Sequence, residues 1–366
     1  MSAPILAIAG GGTGGHVNPA LAVADAWVQA GAAKPLFIGT AQGLEQRLVP
    51  ARGYRLELVP GSRLVGAGVL GKVRGLLGLI QGIWACRRLL RQERVDVVLG
   101  VGGYASGAAL LAARILGLRT AIHESNAVPG LTNKVLGRLV DRVYLGFDAA
   151  RDAFPASKTH VVGNPVRPEI AALSEQERQP AGDDAARQVL VVGGSQGALY
   201  LNQNVPALLG ALAGRGVRLR VRHQVGKLDA ASVEQAYAAV GIDAEVVSYI
   251  DDMAAELQRA DFAITRSGSG TVAELAAAGL PALLVPFPFA AGDHQAANAA
   301  AFCSDGAGVW CRQGDWDVEK LAASIEPLLT DNASWIRARA AARAVAKPAA
   351  AAAIVADCEA WSRRRS

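Results

Sequence analysis

Residues 5–24 read ILAIAGGGTGGHVNPALAVA, and this stretch decides how the chain begins. The apolar residues are typical of a buried strand, the glycines predict a tight turn, and the run after Pro19 predicts a helix. Such a turn lets backbone N–H groups approach a ligand, and the helix N-terminus behind it favours negative charge. The turn also carries His16, which a turn that only bound phosphate would not need. This imidazole indicates a reacting site.

A similar opening recurs at residues 187–198, which read RQVLVVGGSQGA. After each opening, apolar segments alternate with helical patterns of about 10–15 residues, as in parallel α/β sheets. The segments that we interpret as buried strands are PLFIGT (35–40), VDVVLGVGGY (95–104), RTAIHESN (119–126) and RVYLGF (142–147), then VRLRVRHQVG (217–226), AEVVSYI (244–250), DFAITRS (261–267) and PALLVPFP (281–288). The alternation predicts an α/β chain with two Rossmann-like domains whose parallel sheets face an inter-domain cleft.

The boundary between these domains is predicted near residues 161–170, VVGNPVRPEI, where two prolines and an asparagine interrupt the periodicity. We expect the first domain to comprise residues 1–163 together with a C-terminal helix at about 345–366, and the second to comprise 164–344. Residues 1–163 contain 18 Lys and Arg against 9 Asp and Glu, or +9, and the remainder 19 against 23, or −4. An anionic partner is therefore expected on the first domain.

The bulk composition excludes several classes of protein. The four cysteines have no CxxC spacing, so neither a zinc site nor a disulfide framework is indicated. No apolar run reaches the ~18 residues of a transmembrane helix. With 366 residues, of which 51% are hydrophobic, the chain can fill the cores of two ordinary domains.

The first glycine turn formally satisfies GxGxxG through Gly10, Gly12 and Gly15, which alone is a weak signal for a dinucleotide. A dinucleotide site also needs an acidic residue at the end of the second strand. That strand ends at Thr40, and the nearest acid is Glu45. A dinucleotide site and a turn without a ligand remain the minor alternatives to a reacting site.

Three further glycine-rich turns follow predicted strands, at residues 102–104, 193–197 and 267–271. Ligands of open α/β sheets bind beyond the carboxyl ends of the strands, so these turns are expected to line one cleft. The last turn opens a short helix whose N-terminal amides could hold a diphosphate. Glu274 in this helix either accepts hydrogen bonds from a ribose or only complements the helix dipole, and the pattern alone favours the second.

Polar residues cluster at two other places. His123, Glu124 and Asn126 leave a strand end together, which in this fold class favours a functional role over a solvated turn. Residues 293–295, DHQ, are either a polar loop that faces a ligand or a helix cap formed by Asp293.

Two patterns have ordinary structural explanations. The formal DxD motif of Asp315 and Asp317 precedes a helical pattern, and helix capping explains it better than a metal site. Residues 69–94 combine apolar residues at helical spacing with six basic residues. That pattern fits a membrane-surface helix and a core-facing helix with a solvated basic face equally well.

The ordered set of motifs resembles the MurG family, the peripheral-membrane N-acetylglucosaminyltransferases that convert lipid I to lipid II in peptidoglycan synthesis. The matching segments are TGGHVNPALAVA (13–24), DVVLGVGGYASG (96–107), HESNAVPGLTNK (123–134), VVGNPVR (161–167), VLVVGGSQGA (189–198), YIDDMA (249–254), RSGSGTVAELAAAGLPALLVPFP (266–288) and DHQAANA (293–299). Each motif alone is weak, whereas their order along the whole chain is highly specific.

The resemblance implies a GT-B fold, with the acceptor and the membrane on the first domain and UDP-GlcNAc mainly on the second. The residues that it implies for donor binding are Thr13, Gly14, Gly15 and Asn126 from the first domain, Arg167 and Ser195 beside the diphosphate, Ile250 at the uracil, Ser269, Gly270, Thr271, Val272, Ala273 and Glu274 at the phosphate and ribose, and Gln295 at the sugar. It implies acceptor-side and catalytic positions at His16, Tyr104 and Glu124. It favours ribose binding at Glu274 and a membrane face at residues 69–94.

The implied reaction is an inverting transfer of GlcNAc from UDP-GlcNAc to the C4 hydroxyl of MurNAc in lipid I, undecaprenyl-pyrophosphoryl-MurNAc-pentapeptide. We expect His16 to be the general base, with Glu124 as the rival. We expect no metal site and no required cofactor, and stimulation by divalent cations stays open. The implied partners are an anionic membrane surface and other proteins of cell-wall synthesis, with no nucleic acid. The implied location is peripheral, on the cytoplasmic face of the bacterial inner membrane.

The chain departs from the family pattern at Ser125, where Gln is frequent, at Ser269 and Gly270, where Ala-Leu or Ala-Met is frequent, and at Gly292, where Asp is frequent. At these positions the roles of the side chains stay open, whereas the backbone amides are still expected to take part. Three alternatives remain: a UDP-GlcNAc 2-epimerase on the same fold, a dinucleotide-dependent oxidoreductase, and a nucleotide-binding module without turnover.

Overall fold

Short runs of Val, Leu, Ile and Ala form the strands, because such runs are buried on both faces of a parallel sheet. A computed structural model describes residues 4–60, 69–180, 182, 185–194, 197–228 and 230–362, with the backbone alone at 69–74, 76 and 362. The described chain divides into two compact units, residues 1–167 with 348–366 and residues 168–347. These divisions lie four and three residues after the expected ones at 163/164 and 344/345.

The first unit is a seven-stranded parallel sheet with helices. Its strands are β1 (Leu6–Ala9), β2 (Leu36–Gly39), β3 (Leu56–Leu58), β4 (Val97–Gly100), β5 (Arg119–Glu124), β6 (Arg142–Leu145) and β7 (Thr159–Val161). The helices that precede the second unit are α1 (Gly14–Gln29), α2 (Glu45–Ala51), α3 (Val69–Gln92), α4 (Tyr104–Ile115) and α5 (Leu131–Leu139). The strand order is β3-β2-β1-β4-β5-β6-β7. Since β1 lies between β2 and β4, the order reverses there, which is where open α/β sheets bind ligands.

The second unit is a six-stranded parallel sheet of the same type. Its strands are β8 (Arg187–Val192), β9 (Leu219–Gln224), β10 (Ala244–Val247), β11 (Phe262–Thr265), β12 (Ala282–Leu284) and β13 (Gly308–Trp310). Its helices are α6 (Pro168–Ala171), α7 (Leu199–Gly214), α8 (Ala230–Ala239), α9 (Met253–Arg259), α10 (Ser269–Ala278), α11 (His294–Cys303), α12 (Val318–Thr330) and α13 (Asn332–Ala344). The order β10-β9-β8-β11-β12-β13 reverses at β8, so the turns after β8 and β11 are neighbours.

The last helix, α14 (Ala350–Ser362), packs on the first unit. Ile354 and Cys358 are buried in the same core as β1 and Trp27. Trp361 lies under the guanidinium groups of Arg119 and Arg142, at 5.0 and 5.3 Å from the ring centroid. The C-terminal segment therefore completes the core of the domain in which the chain begins.

All eight strands predicted from apolar segments are present, and the strands that open each half are β1 and β8. The strands β3, β7 and β13, of three residues each, were not predicted. Each of them lies at the edge of a sheet, where, among the described residues, it forms backbone hydrogen bonds with one neighbouring strand only. Within the described residues, no helix has the length and apolar character needed to cross a membrane.

Candidate active site

The glycine turn after β1 interlocks with the turn after β4. Gly10 has φ of 144°, and a Cβ there would lie 2.4 Å from the Gly102 carbonyl oxygen. The Gly11 N–H donates to the same carbonyl at 3.3 Å. Only glycine permits this approach of two backbones, so the two turns form one rigid floor at the carboxyl ends of β1 and β4.

His16 lies in the first turn of α1, above this floor. Its Nδ1 is 3.2 Å from the Gly11 carbonyl oxygen, which assigns the proton of the neutral ring to Nδ1 and the lone pair to Nε2. A Cβ at Gly102 would lie 2.9 Å from Nε2. Residue 102 must therefore be glycine for the His16 ring to lie at this position.

Glu45 lies beside this floor, although the sequence analysis treated it only as a distant acid in the dinucleotide alternative. It begins α2, and its side chain is 2% exposed. Its carboxylate accepts the Gly12 N–H at 2.8 Å and the Thr40 N–H at 3.1 Å. The Gly12 amide, which a dinucleotide's pyrophosphate would need, is thus committed to a carboxylate. This contact argues against the dinucleotide alternative.

Glu124 ends β5 and braces the loop that follows it. One carboxylate oxygen accepts the backbone and side-chain N–H groups of Asn126, at 3.0 and 3.3 Å. The other accepts the Gly130 N–H at 3.1 Å and the Asn133 side-chain amide at 2.9 Å. Four donors converge on a side chain that is 3% exposed. This arrangement fixes the carboxylate and holds Asn126 beside it.

His123 is fully buried one residue earlier, with Nε2 3.1 Å from the Gly163 carbonyl oxygen. Burial lowers the pKa of His123, whereas the hydrogen bond to Gly163 and the charge of Glu124 oppose this shift. Its Nδ1 has no hydrogen-bond partner among the described residues. The ring is therefore a neutral support of the strand end.

Tyr104 begins α4 directly after Gly103, which has φ of 83°. Burial raises the pKa of its phenol, which is thus a hydrogen-bond donor at neutral pH. The hydroxyl is buried and has no partner in the described part of the chain. Thr13 is the exposed N-cap of α1, without a side-chain capping bond, and Gly14 and Gly15 form the first helical turn.

In the second unit, α10 begins at Ser269 after β11, and its N-cap residue, Gly268, has no side chain that could cap the N-terminal amides. Ser269 and Val272 are buried, so Val272 can offer a ligand only its backbone. Gly270, Thr271, Ala273 and Glu274 are half-buried. An uncapped, partly accessible helix start can bind an anionic group through its amides and dipole.

The start of α11 is tied to the turn after β11. The Gln295 side-chain oxygen accepts the Phe287 N–H at 2.9 Å, and the Ser267 hydroxyl donates to the Gln295 carbonyl at 2.8 Å. Asn298 donates to the Ser267 carbonyl at 3.1 Å. These bonds hold Gln295 in register with α10, and its amide N–H groups are the donors that could serve a sugar.

Asp293 does not cap α11 with its side chain, so that alternative is wrong. Its carboxylate forms a bidentate ion pair with Arg312, at 2.6 and 3.1 Å, which lowers the pKa of Asp293. The other capping prediction is confirmed, because Asp317 accepts the Lys320 N–H at the start of α12. Within the described ranges, no group of three His, Cys, Asp or Glu could hold a metal ion.

The structure brings the predicted residues together in two separate groups. Those at the carboxyl ends of the neighbouring strands β1, β4 and β5 are Thr13, Gly14, Gly15, His16, Tyr104, Glu124 and Asn126. Those that follow β10, β11 and β12 are Ile250, Ser269, Gly270, Thr271, Val272, Ala273, Glu274 and Gln295. Ile250 is buried, and Arg167 is a half-buried residue at the end of the first unit. Ser195 lies outside the described residues.

Comparisons with known proteins agree with this arrangement. Residues 6–145 match the glycosyltransferase family 28 N-terminal domain, and residues 188–354 match its C-terminal domain. The chain is 44% identical over 352 residues to the UDP-N-acetylglucosamine–N-acetylmuramyl-(pentapeptide) pyrophosphoryl-undecaprenol N-acetylglucosamine transferase of Geobacter sp. (strain M21), covering 96% of this chain and 94% of the relative. The chain belongs to the MurG family. The corresponding transferase of Acidithiobacillus ferrooxidans (strain ATCC 53993 / BNL-5-31) is 46% identical over 351 residues, with 96% of each chain covered.

Solved structures extend the comparison. The crystal structure of MurG from Acinetobacter baumannii has a TM-score of 0.81 at 32% identity and covers 98% of this chain and 99% of its own. The predicted GT-B fold of two α/β domains is thus confirmed. A putative UDP-N-acetylglucosamine 2-epimerase from Listeria monocytogenes has a TM-score of 0.68, with 100% of this chain and 98% of its own covered, but only 14% identity. That likeness shows the fold alone, and membership of the MurG family disfavours the epimerase alternative.

Proposed function

We propose that this chain transfers GlcNAc from UDP-GlcNAc to the C4 hydroxyl of MurNAc in lipid I and so forms lipid II. The observation that carries the proposal is the 44% identity, across 96% of the chain, to a relative named for this transfer. The matching segments include the turns that bear His16, Glu124 and residues 269–274.

The transfer inverts the anomeric centre, since UDP-GlcNAc has an α-linked sugar and lipid II a β(1→4) link. A single in-line displacement accounts for this change. The C4 hydroxyl of MurNAc attacks the anomeric carbon, the bond to the UDP oxygen breaks, and a base takes the hydroxyl proton.

We propose that His16 is this base and that Glu124, the rival, instead braces the loop that carries Asn126. The support is geometric: the Gly11 carbonyl orients the ring so that Nε2 holds the lone pair. Glu124 instead has four donors on its two oxygens, so its lone pairs are already engaged by the loop that follows β5. Tyr104 would donate its hydroxyl proton in a hydrogen bond to the acceptor sugar.

The second unit would hold the donor. The N-terminal amides and dipole of α10, from Ser269 to Thr271, suit a diphosphate that gains charge as the sugar leaves. Glu274 would accept hydrogen bonds from the ribose hydroxyls, Gln295 would reach the sugar and Ile250 the uracil. Arg167 and Ser195 would complete the diphosphate site. We propose that these groups act without a required cofactor. Titration of the transfer reaction with divalent cations would measure any stimulation.

We propose that the first unit docks peripherally on an anionic membrane, on the cytoplasmic face of the bacterial inner membrane. Three apolar residues of α3, Leu77, Ile80 and Trp84, are exposed, and the Arg87 guanidinium lies over the Trp84 ring at 5.2 Å. On α5, Leu131, Val135 and Leu139 form a second exposed apolar row, with Lys134 and Arg138 beside it. Apolar rows flanked by basic residues suit a membrane surface. The side chains at 69–74 and 76 lie outside the described residues.

The test is transfer of radiolabel from UDP-[14C]GlcNAc to a short-chain lipid I analogue, with and without EDTA. Butanol-extractable label that requires the analogue would support the transferase, and persistence of transfer in EDTA would support helix dipoles and Arg167 over a metal. Conversion of UDP-GlcNAc to another UDP-sugar without an acceptor would instead support the epimerase. Binding without turnover would identify a nucleotide-binding module.

A further inference from the structure

We propose that Glu45 is a positioning residue for the transfer: its carboxylate holds the glycine turn after β1 in the shape that orients the His16 ring. This inference rests on the proposed function, because the rate of transfer is one of its readouts. Glu45 lies at the start of α2, outside every motif that suggested chemistry in the sequence.

The carboxylate joins two loops that are distant in sequence. One oxygen accepts the Gly12 N–H at 2.8 Å, and the other accepts the Thr40 N–H at 3.1 Å and the Thr40 hydroxyl at 3.3 Å. Each oxygen therefore receives a backbone N–H. A Gln side chain has only one acceptor oxygen, so in either orientation its NH₂ group would face one of these donors.

Three glycines make room for this carboxylate. A Cβ at Gly11, Gly39 or Gly43 would lie 2.2, 2.7 or 1.8 Å from the nearest Glu45 atom. The three belong to different segments: the turn after β1, the end of β2 and the loop before α2. Their convergence shows that the packing at the carboxyl end of these strands is built around one buried acid.

Gly11 transmits this constraint to His16. Its Cα lies against the Glu45 carboxylate, its carbonyl oxygen is the acceptor 3.2 Å from His16 Nδ1, and its N–H donates to Gly102. The Leu44 N–H also donates to the Gly12 carbonyl at 3.3 Å, which closes the link between the two loops. If the turn shifts, the carbonyl that selects the ring orientation and tautomer shifts with it.

Asp141 offers a matched control at the other end of the sheet. Its carboxylate accepts the Thr120 N–H at 3.0 Å and the Thr120 hydroxyl at 2.9 Å, which is the contact that Glu45 makes with Thr40. Thr120 lies at the start of β5, opposite the end that bears Glu124. D141N therefore weakens the same kind of contact, together with the ion pair to Arg114 at 3.0 Å, without touching the glycine turn.

The experiment compares wild type, E45Q and D141N, and combines E45Q with H16A in a double-mutant cycle. We expect both single variants to lower Tm by about 2–8 °C, because each loses a carboxylate that accepts a threonine N–H. Only E45Q should lower kcat for transfer to the lipid I analogue, by about 10- to 100-fold, with a smaller change in KM for UDP-GlcNAc. The double variant should be no slower than H16A, because Glu45 acts through the orientation of His16.

Equal kcat values for E45Q and D141N would overturn this inference, and so would additive losses of kcat in the double-mutant cycle. Transfer by the wild-type protein would in either case leave the proposed function supported. A second readout needs no activity: the Gly12 amide should be protected from hydrogen exchange in wild type and D141N, and lose that protection in E45Q. If E45Q fails to fold, T40V removes only the hydroxyl contact. It should lower kcat by about 2- to 5-fold, again without effect in the H16A background.

Discussion

The Tyr144 hydroxyl donates a hydrogen bond to the Asp357 carboxylate at 2.7 Å and so joins β6 to α14 across 213 residues of sequence. Arg142 pairs with the same carboxylate at 3.2 Å. Burial raises the pKa of Tyr144, so the phenol stays a donor throughout the neutral range. The C-terminal helix is thus bound to the first unit by polar contacts as well as by its apolar face.

We expect I354A to destabilise the first unit by about 2–5 kcal/mol, because Ile354 is fully buried against β1 and the truncation leaves a cavity. Y144F should cost less, about 1.5–3 kcal/mol, the usual value of one hydrogen bond to a charged group. Urea unfolding measures both changes. A smaller loss in I354A than in Y144F would mean that α14 is held by its polar contacts.

We expect H16A to lower kcat by about 10²–10⁴-fold with little change in KM, the usual contribution of a general base. The pH dependence of kcat/KM should lose its acidic limb in H16A and keep it in E124Q. Turnover of H16A at the wild-type rate would remove His16 as the base, and loss of the limb in E124Q alone would transfer that role to Glu124.

The stability of the second unit should fall as the pH falls from 6.5 towards 4. His223 is buried between the Tyr237 hydroxyl, at 2.9 Å, and Asn202, at 3.2 Å, and burial lowers the pKa of His223 from 6.5 to about 4. Between these values the unfolded chain binds the proton and the native chain does not, so stability rises with pH in that window. The contribution of this one group is up to roughly 3 kcal/mol.

Urea unfolding of wild type and H223Q at pH 7 and pH 4.5 tests this expectation. H223Q removes the titrating group, so the difference between the two pH values should shrink, whereas H160Q, at an exposed histidine of β7, should leave it unchanged. An undiminished pH dependence in H223Q would assign it to other groups.

The membrane proposal predicts that W84E lowers recovery of the protein with anionic vesicles in flotation. Trp84 is 63% exposed on α3, and a carboxylate there both removes an apolar anchor and repels anionic lipid. I336E is the matched control, because Ile336 is 50% exposed on α13 of the second unit. Equal losses in the two variants would argue against a specific face on α3.

The sequence alone predicted ten of the thirteen strands, the alternation of strands with helices, and the end of each sheet at which the site residues stand. Alternating apolar runs and glycine turns are local signals, and parallel strands bring their carboxyl ends to one edge wherever they pair. The motifs at residues 13–24 and 266–288 also pointed to the family before any fold was known. The strands β3, β7 and β13 were not predicted, because a segment of three residues is too short to show a periodic pattern. Their pairing depends on the neighbouring strand.

Only the tertiary structure decided what the charged groups do. Glu45 holds Gly12 across 33 residues, and Asp293 pairs with Arg312 rather than capping α11. Four donors on Glu124 make it a brace for its loop. The physical reason is that a hydrogen bond depends on distance and direction between groups that folding brings together, whereas the periodicity of a sequence records only which face of an element is apolar.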